Sequence, residues 1–244
     1  MFGFFDKHYT QRQLRNPIER DVNENPKVEY NGNHQESWYC FVPRIISDIN
    51  YFSKTILPQN GKRTIYTISS QKIMVSDPLE TVVKLRAIYE NSIKRMQTDI
   101  GSGLAINLMG ISLGNVLSIR LAANLPKGKV KKLVSLVGGA QLGLSAWDSI
   151  LTGHTARQSG CRTPNEYERK LEEFSPINYT ENLTLGSIFS RFGSSDLLIP
   201  FQPHGKKLAE ALAKTRTEKI DVRTYPFADH SSAIFLSSLA RRKY

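Results

Sequence analysis

Short runs of apolar and β-branched residues recur along the chain, separated by turn residues and by longer stretches of helical spacing. Runs of this kind, bounded by Gly, Pro or Asn, predict buried strands. The predicted strands are Trp38–Pro43, Arg63–Ser69, Leu104–Gly110, Lys131–Ala140, Leu185–Phe192 and Lys219–Pro226.

Helix signals lie between these strands. The clearest follows Asp77, which can cap a helix, with Pro78 at the first helical position and Glu80 in the first turn. Helical spacing also marks residues 45–56, 115–125, 165–174, 205–214 and 231–239. Because strands alternate with helices, the sequence predicts an α/β fold with a mostly parallel central sheet and helices on both faces.

Two segments stand outside this alternation. Residues 1–36 are polar and irregular, with one short strand predicted at Lys27–Tyr30, and we interpret them as an N-terminal extension or an edge hairpin. Residues 141–184 are the least regular part of the remaining domain, residues 37–244. The length of 244 residues suits one domain with a small insertion.

Composition narrows the class of protein. Hydrophobic residues make up 40% of the chain and charged residues 23%, which is typical of a globular protein. No apolar run is long enough to cross a membrane and no signal peptide is evident, so we expect a cytoplasmic protein without a transmembrane segment. Two distant cysteines, Cys40 and Cys161, exclude a disulfide framework and a cysteine-rich zinc site.

The formal net charge of +11 is spread along the chain rather than concentrated. Small basic clusters without interleaved aromatic residues are typical of a solvated surface, and they disfavour nucleic-acid binding. An acidic substrate or an acidic carrier protein remains open. The clusters contain Lys127, Lys129, Lys131 and Lys132, then Lys206 and Lys207, and finally Arg241, Arg242 and Lys243.

One sequence motif contains a candidate catalytic residue. Gly110–Gly114 has the pattern G-x-S-x-G, and it lies where an apolar strand ends and a helix begins. A serine in such a sharp turn needs a strained backbone, and the flanking glycines remove side chains that would clash. The Ser112 hydroxyl would then stand at a helix N-terminus, where the N–H of Leu113 can stabilise negative charge.

A serine nucleophile needs a base, and the base needs an orienting acid. Asp196 follows one predicted strand and His230 follows the last, so a parallel sheet would bring both to the edge that holds Ser112. Asp229 is a rival acid, but adjacent side chains usually diverge from His230. We expect His204 to be a helix cap or a surface group.

We interpret the remaining histidines and Cys161 as residues without a catalytic role. We expect His154 to be solvated, and His8 and His34 to lie in the polar extension. The five histidines lack metal-ligand spacing, so no metal site is predicted. Cys161 lacks a strand-to-helix setting and is interpreted as a structural or incidental thiol.

Three stretches in this order resemble the α/β-hydrolase fold superfamily. They are G-I-S-L-G after a strand, F-G-S-S-D-L-L-I-P after a later strand and A-D-H-S near the C-terminus, and the resemblance covers about residues 37–240. It implies Ser112 as nucleophile, Asp196 as acid and His230 as general base. It also implies that residues 141–184 form a small cap, or lid, over the pocket.

The chain departs from this superfamily after the first core strand. Many members carry a His-Gly pair there, ahead of the second oxyanion donor, whereas this chain has Val42-Pro43-Arg44-Ile45. Pro43 has no N–H, so we expect the backbone N–H of Arg44 or Ile45 to join that of Leu113 in the oxyanion hole. An Arg44 side chain at the pocket mouth would favour an anionic substrate.

Apolar residues of the cap have two open interpretations. Trp147 and Leu142 either line an acyl pocket and bind substrate, or anchor the cap to the body. Together these features predict a serine hydrolase that cleaves a carboxylic ester or thioester through an acyl-enzyme, without a cofactor. An acyltransferase with the same triad and a non-catalytic binding protein of the same fold are the alternatives, and the oligomeric state is left open.

Overall fold

The computed structural model describes residues 26–31, 35–44 and 56–240. The strands of these ranges are β1 (Lys27–Asn31), β2 (Glu36–Pro43), β3 (Gly61–Ile68), β4 (Ala105–Ile111), β5 (Val130–Leu136), β6 (Ser187–Gly193) and β7 (Lys219–Tyr225). The α-helices are α1 (Ser70–Ile73), α2 (Pro78–Gly101), α3 (Gly114–Asn124), α4 (Leu142–Asp148), α5 (Gly153–Arg157), α6 (Pro164–Leu171), α7 (Lys206–Ala213) and α8 (His230–Leu239). Apart from Ile56, the helical spacing of residues 45–56 lies outside the described ranges.

The strands form one sheet in the order β1-β3-β2-β4-β5-β6-β7. Strands β2 to β7 are parallel, and β1 runs antiparallel to β3. The predicted α/β class with a mostly parallel sheet is therefore confirmed. The strand predicted near Lys27 is present, but it pairs with β3 rather than forming a hairpin with β2. Residues 1–36 thus contribute an edge strand.

The start of α2 follows the sequence signal closely. Asp77 is the cap residue, and its Oδ1 accepts a hydrogen bond from the Leu79 N–H at 2.9 Å. Pro78 occupies the first position, where no intrahelical N–H is required. None of the helices within the described ranges is long and apolar enough to cross a membrane.

The core lies on both faces of the sheet. On one face, Leu85 of α2, Leu117 of α3 and Leu208 of α7 belong to the larger apolar cluster. On the other face, Ala233 and Ile234 of α8 pack in a second cluster with side chains of β2, β4 and β5. Strand β4 is buried along nearly its whole length because it lies between two covered faces.

The carboxyl ends of β2 to β7 share one edge of the sheet because these strands are parallel. Backbone hydrogen bonds tie the neighbouring ends of this edge together. They run from Ser112 N to Leu136 O at 2.9 Å, from Val137 N to Arg191 O at 2.8 Å and from Ser195 N to Ala228 O at 3.0 Å. The segments that follow β4, β5, β6 and β7 are therefore held in fixed order along this edge.

Candidate functional site

Ser112 lies between β4 and α3 with a backbone φ of 55°. This left-handed conformation is uncommon for a residue other than glycine and often marks a functional turn. The flanking glycines are required by close packing. A Cβ placed on Gly110 would lie 2.2 Å from Ser118 Oγ, and one placed on Gly114 would lie 2.1 Å from Phe41 O.

Asn115 holds the Ser112 turn in place. Its buried amide donates to Ser112 O at 3.0 Å and to Leu136 O at 2.7 Å. One side chain therefore links the turn after β4 to the end of β5. The sequence analysis missed this residue, because its second partner is 21 residues away along the chain.

Asp196 and His230 meet after β6 and β7. The His230 Nδ1 atom lies 2.7 Å from Asp196 Oδ2, and both side chains are more than nine-tenths buried. The other carboxylate oxygen, Oδ1, accepts hydrogen bonds from the Leu198 and Ile199 N–H groups, each at 2.9 Å. A Cβ placed on Gly193 would lie 2.4 Å from Ala228 O, so this glycine permits the close approach of the two loops.

The hydrogen bonds assign a protonation pattern to His230. A carboxylate only accepts hydrogen bonds, so the Nδ1 atom carries the hydrogen and donates it to Asp196. In the neutral ring with this tautomer, the Nε2 atom presents a lone pair. Ser112 Oγ and His230 make no direct hydrogen bond with each other in the described part of the chain. Contacts between a nucleophile and its base are often long without substrate.

Asp229, the rival acid, has a different task. It is exposed and caps α8, where its Oδ1 accepts from the Ser232 N–H at 2.7 Å. The hydrogen bond from the Ser232 backbone is the main cause that lowers the pKa of Asp229 below its ordinary value. The carboxylate that contacts the His230 ring is that of Asp196.

A cavity of about 70 Å³ lies beside Ser112. Its described walls come from α1 and Met74 after it, the turn after β4, residues 141–184 and the loop after Asp196. The polar lining side chains are all hydroxyls: Ser70, Ser112, Ser145, Ser149 and Thr152. The apolar lining side chains include Met74, Val116, Leu142, Ala146, Leu198 and Ile199.

The two residues proposed to bind substrate occupy different places. Leu142 lines the cavity together with Ser112. Trp147 is not among the described residues that line it, and its ring packs against Tyr167 with the ring centroids 5.8 Å apart. The Trp147 ring therefore joins α4 to α6 within the cap segment.

The candidate oxyanion donors are described to different extents. Leu113 lines the cavity, and its N–H donates to no other described residue. Arg44 directly follows β2 and has an exposed side chain, while Ile45 lies outside the described ranges. The role of the Leu113 and Arg44 backbones remains a prediction.

Two carboxylates of residues 141–184 make contacts within this segment and with two neighbouring helices. Glu168 Oε2 accepts from the Gly143 N–H at 2.6 Å and from the Leu144 N–H at 3.1 Å, at the start of α4. Glu173 forms ion pairs with Arg86 of α2 and Arg120 of α3. These contacts join α6 to the start of α4 and connect residues 141–184 to α2 and α3.

His204 is neither a helix cap nor a surface group, so that expectation is wrong. It lies in the kinked turn Phe201–Gly205 and is only 3% exposed. Its Nε2 atom lies 2.8 Å from Asp148 Oδ2. The partner stands 56 residues earlier in the chain, and no local signal in the sequence links the two residues.

Neither cysteine offers an alternative nucleophile. Cys40 is fully buried in β2, and burial raises the pKa of its thiol to about 12, so the thiolate is scarce near neutral pH. Cys161 is buried in the larger apolar cluster. Across the described ranges, no three His, Cys, Asp or Glu side chains are grouped to hold a metal ion.

Comparison with known proteins identifies the architecture. No family model matches the chain, and no curated protein matches it. Solved structures do. An acetyl xylan esterase from Paenibacillus sp. R4 superposes with a TM-score of 0.63 at 14% identity, over 90% of this chain and 76% of the esterase. The chain has the α/β-hydrolase fold.

Two further structures extend the likeness within the α/β-hydrolase fold. An acylaminoacyl peptidase from Pyrococcus horikoshii gives a TM-score of 0.59 at 13% identity over 88% of this chain. This chain spans 37% of the peptidase's length. A bromoperoxidase from Bacillus anthracis gives a TM-score of 0.50 at 12% identity, over 89% of this chain and 95% of the bromoperoxidase. At such identities the likeness concerns the fold alone.

Proposed function

We propose that this protein is a serine hydrolase that cleaves a carboxylic ester or thioester through an acyl-enzyme intermediate. The observation that carries the proposal is the buried hydrogen bond from His230 Nδ1 to Asp196, at the sheet edge that holds Ser112. The left-handed backbone of Ser112 at a strand-to-helix turn supports it. A peptidase and an esterase among the structures of the same fold support hydrolysis in general.

The first half of the reaction forms the acyl-enzyme. Ser112 Oγ attacks the carbonyl carbon while His230 Nε2 accepts the hydroxyl proton. Asp196 keeps the proton on Nδ1 and stabilises the resulting imidazolium. The Leu113 N–H, with a second donor at Arg44, binds the oxyanion. The imidazolium then protonates the leaving oxygen or sulfur as its bond to carbon breaks.

The second half returns the enzyme to its starting state. His230 takes a proton from water, and the hydroxide formed attacks the acyl carbon. The bond between this carbon and Ser112 Oγ breaks, and the proton on His230 returns to the serine oxygen. The products are a carboxylic acid and the alcohol or thiol released earlier. No proposed step requires a cofactor.

Residues 141–184 act in this proposal as a cap over the reacting groups. Support comes from the cavity beside Ser112, because α4 and the segment after it supply several of its lining residues. Leu142 is proposed to contact the substrate there. The anionic or carrier-bound acyl group, suggested by the net charge and by Arg44, and the cytoplasmic location stay predictions.

Covalent labelling with a fluorophosphonate, followed by intact mass measurement, tests the proposal. We expect one adduct on the wild type, none on Ser112→Ala and strongly slowed labelling of His230→Ala. Ser102→Ala, which changes an exposed serine at the end of α2, is the matched control and should label like the wild type.

The outcomes separate the alternatives. A folded wild type that stays unlabelled overturns the proposal in favour of a non-catalytic binding protein. A labelled protein that transfers acyl groups to an added alcohol or amine faster than to water is an acyltransferase. Hydrolysis of esters or acyl thioesters that disappears with Ser112→Ala supports the hydrolase.

A further inference from the structure

Ser145, a residue that lines the Ser112 cavity, has a buried hydroxyl without a hydrogen-bond partner among the described residues. Ser145 lies on α4, lines the cavity and is only 6% exposed. Its Oγ is buried and makes no hydrogen bond within the described ranges. A Cβ placed on Gly139 would lie 2.2 Å from this Oγ, so the hydroxyl occupies space left by a missing side chain in the loop after β5.

Two other hydroxyls of the cavity lining, those of Ser149 and Thr152, have hydrogen-bond partners. Ser149 Oγ accepts from the Leu151 N–H at 3.1 Å, and Thr152 Oγ1 donates to Ala146 O at 2.9 Å. Both hydroxyls are thus engaged by the cap's own backbone. An unpaired buried hydroxyl destabilises a folded protein, and a ligand oxygen that pairs with Ser145 would restore the missing interaction.

The rest of the wall restricts what such a ligand can be. None of the described lining residues is charged, and most are apolar. A carboxylate or an ammonium group in this cavity would lose hydration without meeting an opposite charge among the described lining residues. The volume of about 70 Å³ holds only a short group. The cavity therefore suits a short, uncharged group that carries one oxygen.

We propose that Ser145 is a specificity-determining residue that hydrogen-bonds an uncharged oxygen on the part of the substrate entering this cavity. This inference rests on the proposed function, which supplies the ester or thioester bond that is cleaved, and adds a preference for one part of the substrate. A serine hydroxyl both donates and accepts, so a hydroxyl or ether oxygen of the substrate fits equally. The matching alkyl group leaves Ser145 unpaired and should bind less well.

Binding to Ser112→Ala, which cannot be acylated, tests the inference by calorimetry. The acyl side is probed with ethyl butyrate against ethyl 2-hydroxybutyrate and ethyl 3-hydroxybutyrate. The alcohol side is probed with butyl acetate against 2-methoxyethyl acetate. We expect at least one oxygenated ester to bind about tenfold more tightly than its alkyl match, as one added hydrogen bond provides.

Adding Ser145→Ala should remove this preference. Adding Ser159→Ala should retain it, because that serine lies in the same segment, outside the cavity lining, and its hydroxyl accepts only a local hydrogen bond from Cys161. The inference is overturned if no oxygenated ester is preferred, if none of the esters binds, or if the preference survives Ser145→Ala. Since Ser112→Ala does no chemistry, a preference in binding stands even if the wild type proves not to be a hydrolase.

Thermal unfolding supplies an independent readout. Removing a hydroxyl that has no protein partner should leave the Tm of Ser145→Ala unchanged or higher than that of the wild type. A clear fall in Tm would mean that the protein itself uses the hydroxyl, which would overturn the inference. If the wild type hydrolyses these esters, Ser145→Ala should lower kcat/KM about tenfold for the preferred ester and leave its alkyl match within about twofold.

Discussion

Two carboxylate–imidazole pairs each include one residue of the segment between β6 and α7, and they differ in the ring nitrogen that the carboxylate contacts. Asp196 contacts Nδ1 of His230, whereas Asp148 contacts Nε2 of His204. The first arrangement leaves the Nε2 atom of His230 to act as a base. The second uses the outer nitrogen of His204 for the carboxylate contact. The two nitrogen–oxygen distances are similar, 2.7 and 2.8 Å, but only the first pair leaves Nε2 available as a base.

The carboxylates differ as well. Asp196 is buried and accepts two backbone hydrogen bonds beside that of the imidazole. The Asp148 side chain is 49% exposed and stands at the end of α4. A fully held carboxylate fixes the orientation and tautomer of its histidine, as a general base requires. A half-solvated carboxylate instead links the cap segment to the turn that contains His204.

The largest expected effect is a difference in kcat/KM between substitutions of the two histidines. His230→Ala should lower kcat/KM on the order of 10⁵-fold, because the serine loses its base. His204→Ala should change kcat/KM by less than about tenfold, because this ring touches no proposed reacting group. Ester hydrolysis under pseudo-first-order conditions measures both. Comparable losses in the two variants would contradict the assignment of a single catalytic pair.

Substitutions of the two carboxylates, Asp196 and Asp148, should differ in kcat/KM somewhat less than those of the two histidines. Asp196→Asn should lower kcat/KM by about 10³- to 10⁴-fold, since an amide facing Nδ1 favours the tautomer that protonates Nε2. Asp148→Asn should stay within about threefold of the wild type. If Asp196→Asn keeps near wild-type activity, Asp196 is not the acid that orients His230, and the proposed difference between the two pairs is wrong.

Within the His204–Asp148 pair, we expect the histidine to contribute more to stability than the carboxylate. His204→Ala removes a buried ring and its link to α4, so we expect the free energy of unfolding to fall by about 2–3 kcal/mol. Asp148→Ala should cost less than about 1 kcal/mol, because its carboxylate is half exposed. Urea unfolding with a shared m-value gives both differences. A larger loss for Asp148→Ala would show that the carboxylate, not the buried ring, holds the cap.

A smaller effect than that of His204→Ala is expected at Asp229, next to His230 in sequence. Asp229→Ala removes the cap of α8 and should cost about 1 kcal/mol of stability near neutral pH. The folded pKa of this carboxyl is lowered, so its contribution is fully present above its ordinary pKa of about 3.9. It is lost as the pH falls through the lowered folded pKa.

Unfolding curves of the wild type and Asp229→Asn at several pH values check this sign. The stability difference should shrink on acidification and vanish once Asp229 is protonated. A difference that grows towards acid would mean that this carboxyl has a raised pKa. Loss of activity on the scale of Asp196→Asn would make Asp229 the orienting acid instead.

Much of the fold and part of the candidate site follow from local sequence signals. Strand β4 is an apolar run, α2 begins at the expected Asp–Pro cap, and the glycines around Ser112 mark a turn in which side chains do not fit. These features depend on neighbours a few residues away, so their patterns are visible in the sequence. The order Ser112, Asp196, His230 is visible for the same reason, since each follows a recognisable strand.

Only the tertiary structure decided which distant groups meet. It placed β1 against β3, brought His204 into the interior beside Asp148 and set Asn115 between two strand ends. It also left the Ser145 hydroxyl without a partner among the described residues, in the cavity that Ser112 lines. Short-range patterns report whether a residue favours a helix, a strand or a turn. Hydrogen-bond partners tens of residues apart depend on how the packed elements align, and no local propensity encodes that alignment.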